Sequence, residues 1–166
     1  MRHTITVLVE NEFGVLTRIA GLFSARGYNI ESLNVAPTLD DSMSRMTLVT
    51  RGDERVIEQI TKQLNKLIPV IKTEDVTRAE HMEREMILVK VRATSETRAE
   101  VLRMAEVFRA NVVDVSESSY TLELTGKARK MDAFLRMLMP HGVIEMARTG
   151  PLGMRRGSEG LAANGE

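Results

Sequence analysis

Residues 4 to 36, TITVLVENEFGVLTRIAGLFSARGYNIESLNVA, hold three successive hydrophobic patterns, and their periods differ. In TITVLVE (4–10), Ile5, Val7 and Val9 alternate with their neighbours, which places them on one face of a strand. Over 15–25, Val15, Leu16, Ile19, Ala20, Leu22 and Phe23 recur at helical spacing and form one apolar stripe. Gly27 stands where a helix ends, and NIESLNVA (29–36) returns to strand chemistry.

The rest of the chain extends this strand–helix–strand start. PTLDDS (37–42) is turn chemistry, and SRMTLVTR (44–51) is a third strand. Gly52 and Asp53 open a helix with Val56, Ile57, Ile60, Leu64 and Leu67 on one side, Pro69 stops it, and VIKTEDV (70–76) is a fourth strand. TRAEHMERE (77–85) shows no alternation and reads as a charged connector. The pattern then repeats. MILVKVRA (86–93) is a strand, followed by a helix burying Val101, Leu102, Ala105 and Phe108. NVVDVS and SYTLELTG form a hairpin around Glu117 and Ser118. KARKMDAFLRML is a helix with Met131, Phe134, Leu135 and Leu138 in register, and GVIEMAR is a last strand.

Two βαββαβ units in tandem predict an α+β protein of two ferredoxin-like domains, over 1–76 and 86–149, with a linker at 77–85 and a flexible tail at 150–166. Each domain, at roughly 65–75 residues, is small enough for partner surface to contribute to its stability. The alternative is one larger α+β sheet, against which the charged connector argues.

Composition narrows the function classes. The 166 residues are 43% hydrophobic and 28% charged, a globular balance. No apolar run approaches the roughly 18 residues of a bilayer span, and MRHTITVLVE runs directly into a strand, unlike a cleaved signal. Twenty-three basic and 23 acidic residues cancel, so no overall field attracts nucleic acid or an anionic membrane. The absence of cysteine removes disulfides, thiolate metal sites and cysteine nucleophiles, and suits the cytoplasm.

The loop before the first helix carries the candidate binding chemistry. A helix N-terminus offers N–H groups without internal partners, and the positive end of its dipole is worth about 0.3–1 kcal/mol to an anion. Gly14 lets a ligand approach that backbone, Asn11 supplies an amide, and Asn29 adds a carbonyl able to accept from an ammonium. A zwitterionic amino acid satisfies this set. Asn and Gly before a helix are also ordinary turn and cap residues, so spacing alone leaves both readings open. Eleven helical residues span about 16 Å, so Asn11 and Asn29 of one chain sit at opposite ends of the domain. In a ferredoxin-like sheet the second strand lies at an edge, which invites pairing. Antiparallel pairing of two chains through NIESLNVA would bring the partner's Asn29 toward Asn11 and Gly14, creating two equivalent interfacial sites.

VLVENEFGVLTRIAGLFSARGYNIESLNVAPT, with the SRMTLVTRGDE passage after it, resembles the ACT domain of the acetolactate synthase (acetohydroxyacid synthase) small subunit. The similarity continues through EREMILVKVRA, FRANVVDVSESSYTLELTG, DAFL and EMARTGP. The resemblance implies a regulatory subunit without an active site of its own. It would activate a catalytic large subunit carrying thiamine diphosphate, magnesium and FAD, and make that subunit sensitive to valine. It also implies a homodimer through the ACT domains, and effector contacts at Asn11, Gly14, Val15 and Leu16, with Asn29 and Ile30 of the partner chain. Burying an isopropyl group contributes about 1.5–3 kcal/mol, and Val15, Leu16 and Ile30 could line its pocket. One methylene changes binding by only about 1–3 kcal/mol, so isoleucine and leucine stay open as effectors.

Other constellations are weaker. His81, Glu83 and Glu85 alternate as metal ligands would, but read as a solvated connector. Met131, Met137 and Met139 read as core and edge packing, and Asp40, Asp41 and Arg45 as loop solvation. Asp53 reads as a helix cap. The same βαββαβ order builds RNA-recognition domains, but those stack bases on strand aromatics, and SRMTLVTR has none while SYTLELTG has only Tyr120. No serine, histidine and aspartate come with a nucleophile elbow or oxyanion motif, which leaves a small ferredoxin-like enzyme remote. A free-standing ACT-type sensor acting on another enzyme or a transcription regulator is the alternative function.

Overall fold

The computed structural model describes residues 1–161, and the last five residues of the expected tail lie outside them. The chain forms two compact units, Met1–Met82 with the described residues from Leu152 onward, and Glu83–Pro151.

In the first unit the order is β1 (Arg2–Glu10), α1 (Val15–Ala25), β2 (Ile30–Pro37), β3 (Met43–Arg51), α2 (Glu54–Leu64) and β4 (Val70–Asp75). The sheet runs β2-β3-β1-β4, all antiparallel, so β2 is an edge as the sequence predicts. Ile5, Val7 and Val9 of β1, with Met46 and Leu48 of β3, meet Val15, Ile19 and Phe23 of α1 and Ile57, Ile60 and Leu64 of α2 in one buried cluster. The Asp53 carboxylate accepts from Val56 N–H at 2.9 Å, capping α2 as expected.

Two 3₁₀-turn residues and a strand replace the expected linker. After the turn Val76–Arg78, β5 (His81–Arg92) begins inside the stretch that looked unpatterned. The alternation is present, but its buried position 85 is filled by a carboxylate instead of an apolar group. Glu85, 4% exposed, is held by Arg148, 63 residues away in sequence. Hydrophobic periodicity is blind to such a pair.

In the second unit α3 (Arg98–Phe108), β6 (Asn111–Val115), β7 (Ser119–Gly126), α4 (Ala128–Leu138) and β8 (Val143–Arg148) follow, and the sheet order is β6-β7-β5-β8. Its core gathers Ile87, Val89, Val91, Leu122, Met131 and Phe134. On α3 the buried set is Val101, Met104 and Ala105, whereas Leu102 stays 37% exposed. Met104 continues the i, i+3, i+4 stripe from Val101, and Leu102 falls beside it. Met137 and Met139 are exposed, while Met131 is core.

The expected frayed tail is also corrected. Leu152–Arg155 forms a short strand, β9, that belongs to the first unit. Thr4 and Thr47 point away from the helices yet are buried, because Gly153 lies against them: a Cβ at 153 would stand 2.9 Å from Thr4 Cγ2 and 3.1 Å from Val76 Cγ2. The Arg45 guanidinium donates to the Gly153 carbonyl at 2.7 Å, so Arg45 is a strap contact and not loop solvation. Arg156 N–H donates to the Glu80 carbonyl at 2.8 Å. Gly153→Val is therefore expected to overpack this contact and destabilise the first unit by about 1–3 kcal/mol. Denaturant unfolding reads the loss, and faster tryptic cleavage at Arg155 and Arg156 reads the freeing of β9.

Candidate functional site at the entrance of the first helix

Between β1 and α1 the chain crosses toward the β2–β3 hairpin and is fastened to it. Asn11 N–H donates to the Ser42 carbonyl at 2.7 Å, and Asn11 Nδ2 donates to the Asp41 carbonyl at 3.0 Å. The hairpin is itself internally bonded. Ser42 Oγ and N–H both donate to Asp40 Oδ1, at 2.6 and 2.9 Å, and hold that carboxyl below its usual range. Thr38 Oγ1 donates to the Asp40 carbonyl at 2.9 Å. Asn11 is thus a pinned residue instead of a helix cap, with Oδ1 free of hydrogen bonds among the described residues.

Gly14 occupies the N-cap of α1 at φ 82°, a left-handed conformation that costs glycine little. No side chain caps this helix and no acidic residue stands in its first turn. The first intrahelical bond is Arg18 N–H to the Gly14 carbonyl at 2.9 Å, so the amides of Val15, Leu16 and Thr17 precede the ladder. In the same unit α2 has both an Asp53 cap and Glu54 in its first turn. The entrance of α1 is therefore an uncapped backbone end, and the carboxylate of Glu12 just before it is engaged by Arg18 Nη1 at 3.5 Å. Gly14 is exposed, and a Cβ built there meets nothing within 4 Å, so the space beside the amides is open.

The six predicted contacts separate into three kinds. Asn11 and Gly14 lie at this entrance with the Val15 and Leu16 amides. The Val15 side chain is 4% exposed in the core and offers only its backbone, while Leu16 is 47% exposed beside the entrance. Asn29 and Ile30 lie elsewhere. The Asn29 carbonyl accepts from Thr50 Oγ1 at 2.6 Å, and Ile30 pairs with Thr50, which pairs with His3. Asn11 follows Glu10 at the other end of β1. From His3 to Glu10 the strand advances 10 − 3 = 7 residues, about 23 Å. One chain does not bring the two asparagines together: Asn29 stands at the start of the edge strand β2, and Asn11 lies toward the opposite end of the sheet, after β1.

Sequence reading missed the apolar surface around this end. Phe13 and Leu39 are fully exposed on the two joined loops. Beside the hairpin, Val35, Leu39, Met43, Leu152 and Met154 line an open groove of about 900 Å³. The groove was illegible because one wall is β9, a strand of four residues between glycines.

Residues 5–72 match the family described as an AHAS small subunit-like ACT domain, and residues 84–157 match the family described as the small subunit of acetolactate synthase. A probable acetolactate synthase small subunit of Archaeoglobus fulgidus is 50% identical over 96% of this chain and 99% of its own. The acetolactate synthase isozyme 3 small subunit of Escherichia coli is 49% identical over 96% of this chain and 98% of its own. The crystal structure of the acetolactate synthase small subunit from Thermotoga maritima superposes with a TM-score of 0.88 at 37% identity, covering 96% of this chain and 99% of that one.

Proposed function

The chain belongs to the acetolactate synthase small-subunit family, and from that premise we propose that it activates a thiamine-diphosphate catalytic subunit and confers feedback inhibition by valine. The observation that carries the effector half is the open, uncapped entrance of α1, with Asn11 pinned beside it. The valine carboxylate takes the first-turn amides at Gly14, Val15 and Leu16. Its ammonium is met by carbonyl oxygen from Asn11 and from the partner's Asn29, and its isopropyl group packs on Leu16 and the partner's Ile30. Two chains pair through the β2 edges, and each pair holds two such sites. The catalytic subunit carries thiamine diphosphate, magnesium and FAD, and the assembly works in the cytoplasm. Feedback requires valine to favour one of two states of the assembly, with a coupling of about 1–3 kcal/mol.

Sharing of the site between chains makes a specific demand. Asn11→Ala and Asn29→Ala homodimers should both lose valine in calorimetry. In the mixed dimer both lesions fall in one site and the other is restored, so half the sites regain parental affinity. Normal binding by Asn29→Ala, or no recovery in the mixed dimer, would reject the shared site. Reconstitution with the purified catalytic subunit reads the regulatory half: activity should rise on adding this chain and fall on adding valine. A rate untouched by valine that nonetheless binds the isolated dimer would reject the coupling.

A further inference from the structure

Asp40 reads from the sequence as a solvated loop residue, yet its place in the β2–β3 hairpin is fixed by bonds on both sides. Its carbonyl accepts from Thr38 Oγ1 and from Met43 N–H, each at 2.9 Å, and its own N–H donates to Thr38 Oγ1 at 3.1 Å. The carboxylate is thereby held over the turn, where Oδ1 takes both Ser42 N–H and Ser42 Oγ.

Those bonds orient one peptide plane. The Asp41 carbonyl and the Ser42 N–H belong to the same peptide unit, which is planar and trans, so they point in opposite directions. Asp40 Oδ1 takes the N–H end at 2.9 Å, and the carbonyl end meets Asn11 Nδ2 at 3.0 Å. A carboxylate at one end of a peptide also polarises the carbonyl at the other, which strengthens its hold on a donor. The next carbonyl, that of Ser42, accepts from Asn11 N–H at 2.7 Å, so backbone and side chain of Asn11 are anchored to one turn.

The polarity of Asn11 follows. The last torsion of an asparagine is broad and roughly two-fold, so an unanchored side chain presents a donor or an acceptor with similar ease. A carbonyl only accepts, so the Nδ2 end of the Asn11 amide must be the one that faces Asp41. The Oδ1 end is turned away from the hairpin and takes no hydrogen bond among the described residues. An acceptor held in that way suits an ammonium and repels a carboxylate. The first-turn amides of α1 have the opposite preference, so the two together sort the ends of an amino acid.

We propose that Asp40 is the positioning residue for ammonium recognition: through peptide 41–42 it holds Asn11 with Oδ1 outward, and so makes the site select an α-amino acid over an acid of the same shape that lacks the amine. Asp40 itself touches no ligand. The inference rests on the reading of this entrance as an amino-acid site, and adds the residue that sets its selectivity.

The test compares L-valine with 3-methylbutanoate, the same carboxylate and isopropyl group without the ammonium, in ligand-observed NMR titrations of the full chain. Asp40→Ala removes the acceptor and frees peptide 41–42, whereas Asp40→Asn keeps an Oδ1 able to take both Ser42 bonds but carries no charge. Asp40→Ala should weaken valine about tenfold, the worth of one hydrogen bond to a charged group, and leave 3-methylbutanoate within about twofold of the parent. Asp40→Asn should keep both ligands within about threefold, because a neutral amide accepts less strongly than a carboxylate but in the same place. The ratio of the two affinities is what a general loosening of the loop does not move, since loosening costs both ligands alike. Parental valine affinity in Asp40→Ala overturns the proposal, as do equal losses of the two ligands. A loss in Asp40→Asn as deep as in Asp40→Ala overturns it as well, by assigning the effect to the charge of Asp40 acting through space. A parent chain without preference for valine over 3-methylbutanoate overturns the amino-acid reading itself, and this inference with it.

Discussion

Gly14→Asp should fold and dimerise like the parent and bind valine about a hundredfold more weakly. The backbone at 14 already has φ 82°, and a Cβ there meets no atom within 4 Å, so nothing in the chain is displaced. The left-handed conformation costs a non-glycine residue about 1–3 kcal/mol. The new carboxylate stands where the ligand's own should lie. Two like charges about 4 Å apart repel by about 1 kcal/mol in water and about 4 kcal/mol near a protein surface. The side chain can also accept from the first-turn amides and so satisfy the groups the ligand would use. Gly14→Ala separates these causes, since it imposes the backbone strain without charge. Alanine should keep binding within about tenfold of the parent. Equal losses for both substitutions would assign the effect to backbone geometry, and parental binding by Gly14→Asp would remove the carboxylate from this entrance. In the holoenzyme Gly14→Asp should still activate but respond little to valine.

The legible parts of the fold are those whose causes are local. Ile5, Val7 and Val9 announce a strand, and the stripe from Val15 to Phe23 announces a helix, because burial repeats with the period of the element. Asp53 was readable as a cap because the acceptor lies three residues before its donor, Val56. What failed depends on distant residues. Position 85 looked like connector because its partner is Arg148 on another strand. β9 looked frayed because its reasons for order, Thr4, Thr47, Val76 and Arg45, lie more than 70 residues before it in sequence. Leu102 and Met104 exchanged places because a stripe drawn through leucine was a residue out of phase. At the candidate site the sequence singled out Asn11 and Gly14 but not their roles. That Asn11 is pinned to Asp41 and Ser42 instead of capping, and that the Val15 side chain belongs to the core, follow from the hairpin's position, which no local pattern encodes.

The site's arrangement bears on how a message could leave it. The loop holding Asn11 is tied to the hairpin Thr38–Ser42, and that hairpin joins the edge strand β2 to β3. A ligand drawn between Asn11 and a second chain would load the hairpin and the edge together. Two hydrogen bonds from Asn11, to the Asp41 and Ser42 carbonyls, join the two elements. On the proposed function, a second chain at the β2 edge and an effector at Asn11 would both act on this one set of bonds.

The largest stability effect is expected from Arg148→Met, with a loss of about 3–5 kcal/mol. Arg148 Nη2 and Nε donate to the two Glu85 oxygens at 2.6 and 2.9 Å, and Nη1 donates to Asp132 Oδ1 at 3.0 Å. One guanidinium thereby joins β5, β8 and α4. The Glu85 side chain is only 2% exposed, so without its cation the carboxylate is stranded in the interior. The hydrogen bonds that Arg148 donates to the Glu85 carboxylate push the pKa of its guanidinium above the usual value. A folded-state pKa raised in this way favours the folded chain at every pH below the guanidinium's unfolded value, so base does not break the pair within the accessible range. Against a whole-protein stability of about 5–15 kcal/mol, such a loss moves the urea midpoint far toward zero. The paired substitution Glu85→Leu with Arg148→Met should recover most of it, because an apolar pair of similar volume leaves no buried charge. A single-variant loss below about 1 kcal/mol would mean that water reaches Glu85 when the arginine leaves, as at an exposed ion pair. Failure of the double variant to recover would mean instead that the bidentate geometry, beyond charge cancellation, holds β5 and β8 in register.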